Sequence, residues 1–281
     1  MAVATLETYL RKVADSDGLL SLSAYAKAAA EFSVTYLEIE RVILENGLFP
    51  LRYQRQRVLF GNLQQLRLLR AKVAIVGCGG LGGSLFEMLV RLGVGHLLVI
   101  DPDFFVESNL NRQLLATSEN LGRYKVDVAL ERGKLLNPVV QVETLNQVFQ
   151  TPAGQQRLTD CDLVFDALDS ISVRLELAAF CSQSKLMLIH GAVAGWYGQM
   201  VPVVPGSEKM SQIYSVSSSA SPENGGKAGS DTAVDNFAPT VNMVAALQVA
   251  AGLKYLLASG TTANLSGCFI DLAALELELL R

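Results

Sequence analysis

The chain has 281 residues, half of them hydrophobic, and a formal net charge of −4. That length holds one large α/β domain with a small appendage, and the apolar fraction excludes disorder for most of it. The acidic balance leaves no basic excess for nonspecific binding to nucleic acid or to an anionic membrane, so neither is an expected partner.

Residues 1–50 begin without the basic start and apolar block of a signal peptide. They read as a small helical segment with helices around 6–14, 23–31 and 36–46; Ser21 or Ser23 and Ser33 are the expected N-caps and Gly47 a stop. Residues 24–43 have a helix-turn-helix pattern, but that pattern is common in small bundles and the segment is not basic, which places packing or partner docking ahead of DNA binding. Residues 51–70 form the one basic stretch, with Arg52, Arg55, Arg57, Arg67 and Arg70. Taken alone, such a run is ordinarily a solvated face.

Residues 72–101 carry the most specific local pattern. A short β-branched apolar run at 73–76 is followed at once by Gly77-Cys78-Gly79-Gly80-Leu81-Gly82, a G-x-G-x-x-G spacing. Gly77 permits a tight turn, Gly79 lets a phosphate approach bare backbone, and Gly82 lets the next helix pack closely on the strand, while the helix start offers unpaired N–H groups to an anion. Asp101 follows Gly82 by nineteen residues, at the end of a second strand over 97–100, where a carboxylate can accept hydrogen bonds from both ribose hydroxyls. Strand before, helix after and acid at this distance separate a nucleotide site from a glycine turn that serves packing alone.

Asn109, Asn111, Arg112 and Gln113 form a dense polar cluster just past that second strand, where ligands of open α/β sheets bind. A helix is expected over 119–136, with Lys125 near its start and Asn137-Pro138 as its stop. Strands are expected at 139–145, at 163–165 leading into Asp166-Ala167-Leu168-Asp169, and at 186–189 ending in His190-Gly191, with helices at 152–158 and 171–184 between them. Residues 205–236, rich in Ser and Gly, read as a long crossover loop. The chain then returns to a helix at 239–257 and a strand at 268–271, its last residues fitting either a helix or a strand. The apolar stretch 241–257 contains Asn242, Gln248 and Lys254 and reads as a buried helix, not a membrane span. The alternation predicts an α/β fold, with a Rossmann-like, mostly parallel sheet covered by helices on both faces in residues 51–281. Cys78, Cys161, Cys181 and Cys268 are scattered with no C-x-x-C pair and read as reduced, buried thiols of a cytoplasmic protein. His190 reads as a hydrogen-bonded structural group and His96 as packing.

The runs RYQRQ (52–56), GCGGLGG (77–83), DPD (101–103), ESNLNRQ (107–113), YKVDVA (124–129), LNP (136–138), DALD (166–169) and HGAVAGWYGQ (190–199) together resemble the ThiF/MoeB/HesA family. These are ubiquitin-activating-type adenylyltransferases of thiamine and molybdopterin biosynthesis. The resemblance is strong over 51–204, holds in outline over 237–271 and does not reach 1–50. It implies MgATP-dependent adenylation of the C-terminal glycine of a small ubiquitin-like carrier, a ThiS/MoaD-like protein ending in Gly-Gly, on a homodimer. Carried over by motif, Asp101 would hold the ribose hydroxyls and Gly79 would face the phosphates. Asn109, Arg112 and Lys125 would contact the phosphates, Asp169 would position Mg²⁺, and Arg55, with Arg52 as the lesser counterpart, would be an arginine supplied in trans. Trp196 and Tyr197 would either wall the carrier's tail or belong to the core.

The implied chemistry needs no histidine, cysteine or serine. A C-terminal carboxylate, with a reference pKa of about 3.3–3.7, is already ionised near neutrality. What it requires is positioning, with cations to spread the charge building on departing pyrophosphate. Three departures from the family pattern stand out. No C-x-x-C pairs are present, so no zinc site is expected; residues 205–236 lack a cysteine, so the chain would stop at the acyl-adenylate; and Ser170 stands after Asp169 where relatives often have Asn, offering fewer hydrogen-bonding atoms. Two other classes share parts of the pattern: an NAD-dependent oxidoreductase, which 72–101 alone would suit, and a non-catalytic scaffold that binds ATP or the carrier.

Overall fold

The structure, a computed structural model, describes residues 5–219, 236–258, 260 and 265–280. The first part is helical: α1 (Leu6–Val13), β1 (Leu19–Leu20), α2 (Leu22–Phe32), α3 (Tyr36–Glu45) and β2 (Phe49–Pro50), with β1 and β2 paired in parallel. Ser21 caps α2, accepting from Ala24 N–H. Ser33 does not start α3, as the sequence suggested; it ends α2 in the left-handed conformation, and Thr35 caps α3 in a reciprocal capping box with Glu38. Leu10, Tyr25, Ile39, Ile43 and Phe49 form this unit's core, which continues into Tyr53, Leu66, Leu69 and Val139 of the following sequence. Each such side chain taken fully from water contributes about 1.5–3 kcal/mol.

A 3₁₀ turn, Leu51–Gln56, leads to α4 (Asn62–Arg70), and the alternating part follows. Its elements are β3 (Lys72–Val76), α5 (Gly80–Leu92), β4 (His96–Ile100), α6 (Lys125–Leu136), β5 (Gln141–Leu145), α7 (Pro152–Leu158), β6 (Leu163–Asp166), α8 (Ile171–Gln183), β7 (Met187–Ala194), β8 (Tyr197–Val203), α9 (Lys209–Ser219), α10 (Ala238–Leu257), β9 (Gly267–Asp271) and β10 (Glu276–Leu280). The strands form one sheet in the order β5-β4-β3-β6-β7-β8-β9-β10. β5 through β7 are parallel, and the pairings β7–β8, β8–β9 and β9–β10 are antiparallel. One face packs Val73, Ile75, Leu97, Phe165 and Ile189 against α5 and α10; the other packs Ala74, Val76, Val164 and Leu188 with Leu158 of α7, Leu177 of α8 and Met210 of α9. Both faces of the parallel strands are therefore apolar, which accounts for their unbroken hydrophobic runs.

The chain leaves β3 toward β4 and β5, then returns to the other side of β3 as β6. The sheet's switch point thus lies between β3 and β6, where a crevice opens at the carboxyl ends of the strands.

Several elements differ from the sequence reading. The helix expected from 119 begins at Lys125, because Asn120 accepts from Thr117 N–H, donates to Leu115 O and holds a separate turn that ends at Gly122 with φ +81°. β8 was not anticipated; it completes a hairpin with β7 about Gly195. The loop assigned to 205–236 contains α9 in its first half, and residues 220–235 lie outside the described residues. The C-terminal stretch is a strand. Among the described residues one helix, α10, has the length and composition to cross a membrane; here it packs on α5, β7 and β8.

Candidate functional site at the crest of the sheet

The carboxyl ends of β3, β4 and β6 meet three backbone segments. The glycine loop closes onto the 166–169 turn: a Cβ at Gly77, whose φ is +95°, would stand 2.5 Å from Ala167 O. A Cβ at Gly82 would stand 1.9 Å from Gly77 O, so the start of α5 can lie against the loop only with glycine there. Gly79, the residue before α5, makes no side-chain cap, and the first N–H groups of the helix face the crevice.

Asp101 follows β4 directly and is buried. Its Oδ2 accepts from Cys78 N–H at 2.5 Å and its Oδ1 from Asp103 N–H at 2.8 Å. Burial pushes its carboxyl above the ordinary aspartate range, opposed by Lys125 and the two amide hydrogen bonds. Lys125, the first residue of α6 and also buried, donates to Asp103 Oδ2 at 2.8 Å and lies 3.9 Å from Asp101 Oδ1. Cys78 is buried beneath this pair with its thiol pushed far up by desolvation, which makes it a packing group and not a nucleophile.

The polar cluster after Asp101 divides by role. Asn109 is buried and its Oδ1 accepts from Val106 N–H at 3.1 Å, so it shapes the loop. Arg112 is half-buried and pairs with no acid among the described residues; its Nη1 donates to Ser108 O and Asn111 Oδ1, each at 2.8 Å. Gln113, which the sequence placed in the cluster without a role, is buried with Oε1 lacking any hydrogen-bond partner among the described residues, and a Cβ at Gly79 would stand 3.6 Å from its Nε2. An orphaned buried acceptor beside bare glycine backbone fits a polar ligand, because such a group otherwise costs about 1–3 kcal/mol. Bare backbone, an uncapped helix start, a buried ribose-type carboxylate and cationic side chains are together the donor and acceptor set that a nucleoside triphosphate requires.

Asp169 stands exposed on the turn after β6. Among the described residues no group of three or more His, Cys, Asp or Glu side chains could hold a metal ion. A lone carboxylate fits Mg²⁺ nonetheless, since that ion keeps several waters and takes one or two carboxylates plus nucleotide phosphates.

The two arginines of the RYQRQ segment separate. Arg52 is committed within the N-terminal core: it pairs with fully buried Glu40 and its guanidinium lies over the rings of Tyr25 and Tyr53. This partner, twelve residues away and on another element, was not visible in the residue pattern. Arg55 is exposed and makes no hydrogen bond or ion pair among the described residues. Its neighbour Gln56 donates to Leu92 O at the far end of α5. Thirteen helical residues, about 20 Å, therefore separate this segment from the glycine loop of its own chain.

Trp196 and Tyr197 are half exposed, not core. Trp196 lies against Phe237 with centroids 4.4 Å apart, and Tyr197 stacks on Phe269 at 6.0 Å. His190 is fully buried and bonded to Asp166, as a structural histidine would be. His96 is partly buried at the start of β4.

Comparison with known proteins places the chain in a family. The chain matches the ThiF family over residues 53–279 and belongs to it. It is 35% identical over 158 residues to the sulfur carrier protein ThiS adenylyltransferase of Escherichia coli, covering 55% of this chain and 62% of that protein. It is 36% identical over 138 residues to the tRNA threonylcarbamoyladenosine dehydratase of Haemophilus influenzae, covering 48% and 52%. The chain thus spans little more than half the length of these curated relatives. A crystal structure of Escherichia coli MccB with ATP superposes with a TM-score of 0.65 at 20% identity, over 98% of this chain and 85% of that one. At that identity the likeness is one of fold, and it extends into the N-terminal helices that the family match leaves out.

Proposed function

We propose that this chain is an adenylyltransferase that uses MgATP to activate the C-terminal carboxylate of a small ubiquitin-like carrier ending in Gly-Gly, releasing pyrophosphate. The observation that carries the proposal is the crest itself: Asp101 and Lys125 buried together beside bare glycine backbone, with Gln113 Oε1 unpaired at the same edge. Membership of the ThiF family, more than the glycine spacing, favours this over a dinucleotide oxidoreductase.

In this reading Asp101 accepts from the ribose hydroxyls, and the Gly79–Gly80 backbone and the start of α5 receive phosphate oxygens. Arg112, held by Ser108 and Asn111 and by no carboxylate among the described residues, has guanidinium N–H groups to give to the phosphates. Lys125 would leave Asp103 to reach a phosphate, exchanging one anion for another at little electrostatic cost. Asn109 acts by shaping the loop. Asp169 would hold Mg²⁺, which when bound supplies charge neutralisation on the phosphates. No general base is needed, because the attacking carboxylate is already ionised.

The same reading makes the working unit a homodimer, with Arg55 supplied to the partner's crest. Its support is the distance of Arg55 from its own glycine loop, together with exposed apolar side chains near each end of that span, Val58 and Leu59 after Arg55 and Phe104, Leu114 and Tyr124 in the segment after β4, that a second copy would cover.

Carrier-dependent ATP–pyrophosphate exchange tests the activity, assayed with small Gly-Gly-ending proteins from the same genome. Exchange that disappears in Arg112→Ala and Asp169→Ala is expected; near-normal exchange in both would reject the site. Mixing inactive Arg55→Ala with inactive Arg112→Ala tests the dimer, since a mixed dimer contains one site with both arginines intact and regains exchange. Titration with NAD⁺ in place of MgATP is expected to give no heat.

A further inference from the structure

A buried polar chain joins the crest of β6 and β7 to α9, and the roles proposed above use none of it. Asp166, the last residue of β6, accepts from Leu168 N–H at 3.0 Å on Oδ1 and from His190 Nδ1 at 2.6 Å on Oδ2. Gln248 Nε2 of α10 donates to Asp166 O at 2.9 Å. Arg174, in the first turn of α8 and nearly buried, donates from Nη2 to Leu168 O and from Nη1 to Gly191 O at 3.0 Å and to the Tyr214 hydroxyl at 3.2 Å. Leu168 is thereby gripped on both sides, its N–H by Asp166 and its carbonyl by Arg174. The next residue is Asp169.

The donors and acceptors are self-consistent. With Nδ1–H given to Asp166, His190 Nε2 is an acceptor, and the Tyr214 hydroxyl at 3.2 Å donates to it while accepting from Arg174. Asp166 and Arg174 compensate each other's buried charge, and desolvation keeps the imidazole neutral. Gln199 of β8 also brings its Nε2 to 3.3 Å from His190 Nε2, and every member of the network but one comes from the strands, α8 or α10. The exception is Tyr214, half-buried on α9, whose docking is secured by Met210 in the core beneath.

We infer that Arg174 and Tyr214 are positioning residues that set the Asp169 turn for its metal, so that seating of α9 is a condition for productive Mg²⁺ binding with the nucleotide. The inference rests on the reading of Asp169 as the Mg²⁺ ligand. Neither residue touches nucleotide in this scheme. Arg174 acts through the Leu168 carbonyl, and Tyr214 acts through Arg174. A partner that engaged α9 would thereby alter the metal turn without contacting it.

The test is calorimetric titration of the full chain with ATP, with EDTA and then at stepped Mg²⁺ concentrations, for wild type, Tyr214→Phe, Arg174→Lys and the double variant. Thermal unfolding serves as the control for folding, and Tyr214→Phe keeps the ring if Arg174→Lys is unstable. In wild type Mg²⁺ is expected to tighten ATP binding. Arg174→Lys should lose about 10-fold of that gain, the low end for residues that orient a metal ligand, with ATP affinity in EDTA within about twofold of wild type. Tyr214→Phe should lose a smaller part, and the double variant should match Arg174→Lys because both act through one turn. Wild-type Mg²⁺ gain in both single variants, additive losses, or equal losses with and without Mg²⁺ would overturn the inference while leaving the function reading intact. Wild type that fails to bind ATP, or binds it with no Mg²⁺ dependence, would overturn both.

Discussion

Two neighbouring crests of the eight-stranded sheet resolve their polar groups in different ways. At β3–β4 the backbone is bare, Asp101 is desolvated, and Gln113 holds an acceptor that no described residue donates to. At β6–β7 Asp166, His190, Arg174 and Tyr214 bond to one another and to the Leu168 and Gly191 backbone, leaving Arg174 Nε and Gln248 Oε1 unpaired among the described residues. The first arrangement leaves interaction energy for a ligand; the second spends it on holding a turn. Their carboxylates carry the contrast: Asp101 is pushed above the ordinary range by burial, whereas Asp166, although fully buried, is held below it chiefly by Arg174 and His190.

The largest effect should come from closing the bare crest. Gly82→Ala drives a Cβ into Gly77 O, and should cost about 3 kcal/mol of stability and abolish ATP binding, as read by denaturant unfolding and calorimetry. Next is Arg112→Ala, expected to lower carrier-dependent exchange by about 10²-fold, the scale of one lost charge-stabilising donor, with the melting temperature unchanged. Asp101→Asn should weaken ATP binding by about 10-fold, the equivalent of one charge-assisted hydrogen bond; unchanged affinity would show that the nucleotide does not use this crest.

The smallest effect belongs to the β6–β7 crest. His190 is held neutral, its pKa lowered by burial, so below the unfolded value of about 6.5 the unfolded chain binds the proton more readily than the folded one. Stability should therefore be complete above that pH and fall as pH drops below it, by at most about 1.4 kcal/mol per pH unit for one proton. His190→Gln should remove that component of the slope between pH 7.5 and 5.5 in thermal unfolding. An unchanged slope would mean that the imidazole is not a neutral link between Tyr214 and Asp166.

Legibility in sequence followed the range of the interactions. The glycine loop, Asp101 and the strand–helix alternation depend on neighbours within about thirty residues, and their chemistry is written in residue types at set spacings. The Arg174 network was not legible, because Arg174, His190 and Tyr214 meet only after three elements pack together, and an arginine on a helix reads as a surface charge. Arg52 and Glu40 hid each other for the same reason. β8 was obscured by Gly195 and Pro202, which punctuate a hairpin as readily as a loop, and α9 by a serine-rich composition with poor helix propensity, offset where Met210 is buried.

Helix α5 has a further consequence. At its C-terminus Gly93 turns left-handed while Gln56 and Gln65 donate to the Leu92 carbonyl, so the negative pole of the helix is quenched by amides of the same chain. At its N-terminus Gly79 supplies no side-chain cap. The aligned peptide dipoles, equivalent to roughly half a positive charge at that end, are left unanswered at one pole only, which makes α5 a one-ended electrostatic attractor aimed at the crevice.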